Sequence, residues 1–133
     1  MSHFSQAGER VERGFRHWAG KTFGAADSDD LVKMLHAVLE AVGARIVTIA
    51  RGQRMFPFSK LTVTLASPDA DRRTLYQAAF AESGRFENDI REALEASGCQ
   101  IPRGFSVEFV TRETGDRDDE EIHQGRAFLR FEK

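Results

Sequence analysis

An α+β domain is the fold class this sequence predicts, with elements in the order αα-ββ-α-ββ and a small mixed four-stranded sheet packed against helices. Three observations lead there. Leu31, Met34, Leu35, Val38, Leu39 and Val42 recur at the i, i+3, i+4, i+7 spacing of a helix that buries one face. The runs Leu61-Thr62-Val63-Thr64-Leu65 and Phe105-Ser106-Val107-Glu108-Phe109 alternate with the period of two that marks a half-buried strand. Between those runs the chain returns to helical periodicity for long enough to serve as a parallel crossover.

The elements follow in order, within one domain of residues 1–133: a helix over 1–24 and an α/β core over 28–133. Phe4, Val11, Phe15, Trp18 and Thr22 fall on one side of the first helix, and Arg10, Arg13, Arg16 and Lys21 on the other, partly offset by Glu9 and Glu12. Gly24 to Asp27 reads as a loop. Ser28, or Asp27 before it, is placed to cap the second helix, and Gly43 to end it. Ile46, Val47, Thr48 and Ile49 centre a strand over Arg45 to Arg51. After a turn at Gly52-Gln53 this strand is expected to pair antiparallel with Leu61 to Leu65. Pro57 interrupts the apolar segment Met55 to Phe58, as at a strand edge or a bend.

Ser67, Pro68, Asp69 and Asp71 have the order of a helix start: a capping hydroxyl, a proline fitted to the first turn, and acids at the positive end of the dipole. Leu75, Ala79, Phe86, Ile90 and Leu94 then share a face, widened by Tyr76 and Phe80. Ser83-Gly84 allows one bent helix or two in succession. Gly98 and Pro102 end the segment. Glu113 to Glu121 contains six acids and reads as a solvated loop. Ala127, Leu129 and Phe131 form the last strand, expected to close a hairpin with Phe105 to Phe109.

Composition narrows the functional classes. Lys and Arg number 19 against 21 Asp and Glu, a formal charge of −2 that does not suggest an overall nucleic-acid binder. The single cysteine, Cys99, excludes an intrachain disulfide and fits a reducing, cytoplasmic setting. No apolar run is long enough to span a bilayer. His3, His17, His36 and His123 are scattered, with no histidine or cysteine at metal-ligand spacing beside them. There is no phosphate loop, dinucleotide fingerprint or nucleophile elbow. No catalytic residue, metal or cofactor is therefore expected. Two places are candidate contact surfaces: the basic side of the first helix (Arg10, Arg13, Arg16), which also fits a solvated helix side, and the apolar cluster Met55, Phe56 and Phe58, which also fits cover for one end of the sheet. The element order also resembles KH-type RNA-binding modules, although no Gly-x-x-Gly loop is present. A small enzyme subunit with no recognisable motif is the other alternative.

Several short motifs are shared with one family. Phe23-Gly24 closes the first amphipathic helix, a Leu-rich helix follows over Leu31 to Val42, and Phe56-Pro57 leads into Leu61 to Leu65 and the Ser67-Pro68-Asp69 turn. A last strand begins near Gly125-Arg126. In these the chain resembles the N-terminal domain that precedes forkhead-associated (FHA) domains in bacterial signalling proteins, with Phe58 standing where that family commonly has Asn. The resemblance implies a non-catalytic regulatory or scaffolding module. Its partners would be proteins, including an FHA domain of the same full-length chain and a Ser/Thr kinase pathway. It also implies Thr111 and Thr114, near the acidic loop, as kinase targets.

Overall fold

The structure is a computed structural model that describes residues 3–133. Its class is α+β, with a mixed four-stranded sheet, a separate two-stranded ribbon and four α-helices. The chain divides into two compact units, one running to Pro57 and taken up again at Asn88–Pro102, the other made of Phe58–Glu87 and Arg103–Lys133.

In the first unit, α1 (His3–Phe23) packs on α2 (Ala25–Ala44). The predicted loop between them shrinks to Gly24, whose φ of 93° turns the chain where a residue with Cβ would be strained. Ser28 is therefore not a cap: it lies inside α2, buried, its hydroxyl donating to the Ala25 carbonyl at 3.0 Å. The six apolar residues of the α2 stripe are all buried. On α1 the buried face is Phe4, Ala7, Val11, Phe15 and Ala19, while Trp18 is half-exposed and Thr22 exposed. Small residues let the helices close: a Cβ on Gly43 would lie 2.7 Å from the Phe4 ring.

Strands β1 (Val47–Thr48) and β2 (Arg54–Met55) pair antiparallel across a turn in which Arg51 and Gly52 take φ of 63° and 74°. Positive φ at both central residues matches the twist of a hairpin. The expected strand over Arg45 to Arg51 is thus corrected to two exposed residues, and it does not pair with the Leu61 strand. A β-branched run favours extended backbone but does not choose its neighbour. The ribbon instead touches the segment after α4 (Arg85–Ala96): Phe56 N–H donates to the Gln100 carbonyl at 2.8 Å, and Gln100 N–H to the Arg54 carbonyl at 2.9 Å. The end of α4 is closed by Gly98 N–H on the Glu95 carbonyl and Cys99 N–H on the Leu94 carbonyl, with Gly98 at φ 77°. That pair of bonds is the Schellman arrangement.

In the second unit, β3 (Lys60–Ala66) is an inner strand. It pairs parallel with β4 (Ser106–Arg112) and antiparallel with β6 (Ala127–Glu132), and β6 pairs in turn with β5 (Glu120–Ile122). The sheet order is β4-β3-β6-β5. The expected hairpin between the Phe105 and Ala127 runs is therefore corrected. β3 lies between them, and the hairpin partner of β6 is β5, whose strand residues come partly from the acidic stretch read as loop. Both sides of β3 are occupied, which is why the Val47 segment finds no place beside it.

The crossover from β3 to β4 begins with α3 (Ala70–Tyr76), continues as a π-helical segment Gln77–Glu82, and breaks at Ser83–Gly84, where Gly84 has φ 66°. Two helices, not one bent helix, result. The cap of α3 is Asp69, which accepts from Asp71 N–H at 3.0 Å, while the predicted cap Ser67 accepts from Asp69 N–H one step earlier. Tyr76 and Phe80 are buried, whereas Leu75 is only half-buried. Phe80, Phe86 and Phe109 form the aromatic centre of this unit, with centroids 4.3 Å apart for Phe80–Phe86 and 4.7 Å for Phe86–Phe109. Edge-to-face contacts at these distances add to what area burial supplies.

Candidate functional site

On α1, the apolar face that packs against α2 fixes the direction of the polar one. Arg10, Arg13 and Arg16 are all exposed, spaced by three residues along one side, as the sequence predicts. Arg16 reaches Asp29 of α2 at 3.4 Å, and Lys33 reaches the other oxygen of the same carboxylate at 3.1 Å. These hydrogen bonds, that of Lys33 foremost and then that of Arg16, hold the Asp29 pKa below its ordinary value. Arg10 and Arg13 form no such pair among the described residues and are exposed.

The second candidate surface does not exist as a patch. Phe56 is fully buried, Met55 is half-buried within the ribbon, and Phe58 is half-buried against Phe131 with centroids 5.3 Å apart. Pro57 separates residues that pack in different compact units. Apolar character alone did not distinguish a covered residue from an exposed one. Among the described residues, the exposed large apolar side chains are instead Val47 of β1 and Ile49 just beyond it, both in the run predicted as a strand.

The two threonines fall in unlike surroundings. Thr111 lies within β4, half-buried, its hydroxyl donating to the Gln77 side-chain oxygen at 3.4 Å. Thr114 is exposed in the loop after β4. Cys99 is buried beyond α4, and burial pushes its thiol pKa up, opposite to what a nucleophile needs.

Sequence reasoning missed a cleft in the second unit, at the end of the sheet where β3 and β4 finish and β6 begins. It has a volume of about 740 Å³, within the range of small-molecule sites. The turn from β3 supplies Ser67 and Asp69 and α3 supplies Arg72, the acidic loop supplies Glu113, Thr114, Arg117 and Asp119, and β5 with the turn after it supplies Glu121, Gln124 and Arg126. His123, Gln124 and Gly125 all have positive φ in that last turn. The signal that could have found the cleft is the strand-turn-helix itself, because open sheets place ligands beyond the carboxyl ends of parallel strands. Three guanidiniums face four carboxylates across it, so charge largely cancels and no sign of ligand is selected. Asp119 is already engaged: Arg130 Nε donates to it at 2.8 Å, and this bond with its charge raises the Arg130 pKa further.

The described helices include none long and apolar enough to cross a membrane. No protein-family model, curated protein or solved structure matches this chain.

Proposed function

We propose that this chain is a non-catalytic protein-interaction domain of the kind that stands before FHA domains in bacterial Ser/Thr-kinase signalling proteins, working in the cytoplasm, with the arginine side of α1 as its contact face. One observation carries the reading. Arg10, Arg13 and Arg16 are all exposed on a helix whose opposite side is buried along its length. Packing on α2 fixes the helix, so Arg10 and Arg13 stand exposed on its outer side beside Arg16, which already reaches Asp29. Preorganised arginines suit acidic groups, since each can donate bidentately to a carboxylate or phosphate. Electrostatic surfaces of this kind set on-rate and partner choice more than raw affinity.

Titrating ¹⁵N-labelled protein with a glutamate-rich peptide tests the face. Amide shifts are expected along α1 around Arg10 to Arg16, weakening with added salt and lost in the Arg10→Glu/Arg13→Glu variant. Shifts confined to other elements, or unchanged in the variant, would remove α1 as the contact face.

A further inference from the structure

Both nitrogens of the His36 ring meet carboxylate oxygens. Nδ1 lies 2.6 Å from Oε1 of Glu12 on α1, and Nε2 lies 3.1 Å from Oε1 of Glu40, one turn further along α2. An ionised carboxylate only accepts, and a neutral imidazole donates from one nitrogen alone. Both bonds are therefore made together only by the imidazolium. The charged groups that line this place with the ring are Glu9 and Glu12 from α1 and Glu40 from α2. Arg16 and Lys33, the cations that pair across and along the same two helices, are drawn to Asp29 instead. We propose that His36 is a protonation-dependent clasp between α1 and α2, closed on Glu12 and Glu40 when the ring is charged and reduced to a single bond when it is neutral.

The two bonds differ in what they hold. Glu40 is 72% exposed and lies on the same helix as His36, so its pairing straps α2 to itself. The Glu12 side chain is 19% exposed and belongs to α1, so its bond crosses the seam. Partial burial of the ring opposes the charge, but the hydrogen bond and charge of Glu12, followed by those of Glu40, outweigh it and raise the His36 pKa above 6.5. A histidine raised on folding contributes stability that is complete below its unfolded value, about 6.5, and that fades as pH rises through the folded value. The clasp thus weakens as pH rises above about 6.5 and through the folded value, while the apolar seam of Phe4, Val11 and Phe15 keeps the helices paired. Its exposure to solvent limits the effect to that of a surface pair.

Long-range ¹H–¹⁵N spectra of the histidine rings, with amide hydrogen exchange of α1, test the clasp from about pH 5 to about pH 8. His36 is expected to titrate above the free-histidine value. Protection in α1, corrected for intrinsic exchange, should fall by about two- to fivefold as the ring loses its proton. Glu12→Gln should lower the His36 titration and abolish that pH dependence. A ring titrating at or below the free value, or an α1 response unchanged in Glu12→Gln, overturns the proposal.

Discussion

Gly115 sits against the ring of Phe128, so close that a Cβ at this position would collide with the ring edge. The contact ties the acidic loop to β6. Gly115→Ala must push that ring aside or lift the loop, and overpacking of this kind costs about 1–3 kcal/mol. A lower midpoint of denaturant unfolding with an unchanged slope is the expected result, and an unaltered midpoint would show that the loop does not depend on the contact. Nothing in the sequence marks Gly115, because its role depends on a strand pairing that brings Phe128 opposite Glu121. Other residues were legible. Asp69 and Asp71 stand at the start of a helix as their type demands, although the cap is Asp69 and not Ser67. Arg10, Arg13 and Arg16 are exposed because helical spacing alone sets them opposite the buried face. Phe56 is buried, and the sequence leaves that open because a three-residue apolar cluster has no period from which to tell inside from outside.

Helices longer than a few turns could be read from their period, with errors confined to the ends. The buried face of α1 was only partly legible, since Ala7 and Ala19 fill it as fully as Phe4 and Phe15 do yet give little signal. The crossover was harder. It passes from α3 into a π-helical segment Gln77–Glu82, and Tyr76 and Phe80 are buried while Leu75 is only half-buried. Phe80 then carries the crossover onto the sheet through Phe86 and Phe109. Phe80→Ala removes a fully enclosed ring from that cluster and is expected to cost about 3–5 kcal/mol. Near-ultraviolet circular dichroism and thermal unfolding check this, and a loss below about 1 kcal/mol would mean that the cluster collapses around the gap. Strands were the weakest elements to read: the β-branched Ile46–Ile49 run supplies two strand residues, while the acid-rich Glu120–Ile122 segment becomes a strand through its pairing with β6.

At the scale of the whole molecule, the class followed from periodicity and chain order, but the sheet order did not. Alternation places residues on faces and says nothing about which strands are neighbours. Only the pairing of β3 with β4 was foreseeable in kind, because a long helical connection permits parallel strands. The candidate surfaces were legible in part for the same reason: helical period exposed the arginines, while the cleft beyond β3 and β4 needed the pairing. The net charge of −2 means that any basic surface must be local, and the exposed arginines of α1 form the one proposed here as a contact face. The most direct test is a quantitative pull-down from lysate of the source cells, treated with nuclease, using wild-type protein and the Arg10→Glu/Arg13→Glu variant as bait. The account predicts a protein of a Ser/Thr-kinase pathway whose recovery falls about tenfold or more on charge reversal, equivalent to at least about 1.4 kcal/mol of binding. Equal recovery of every protein by both baits, or binding that disappears with the nucleic acid, would contradict it.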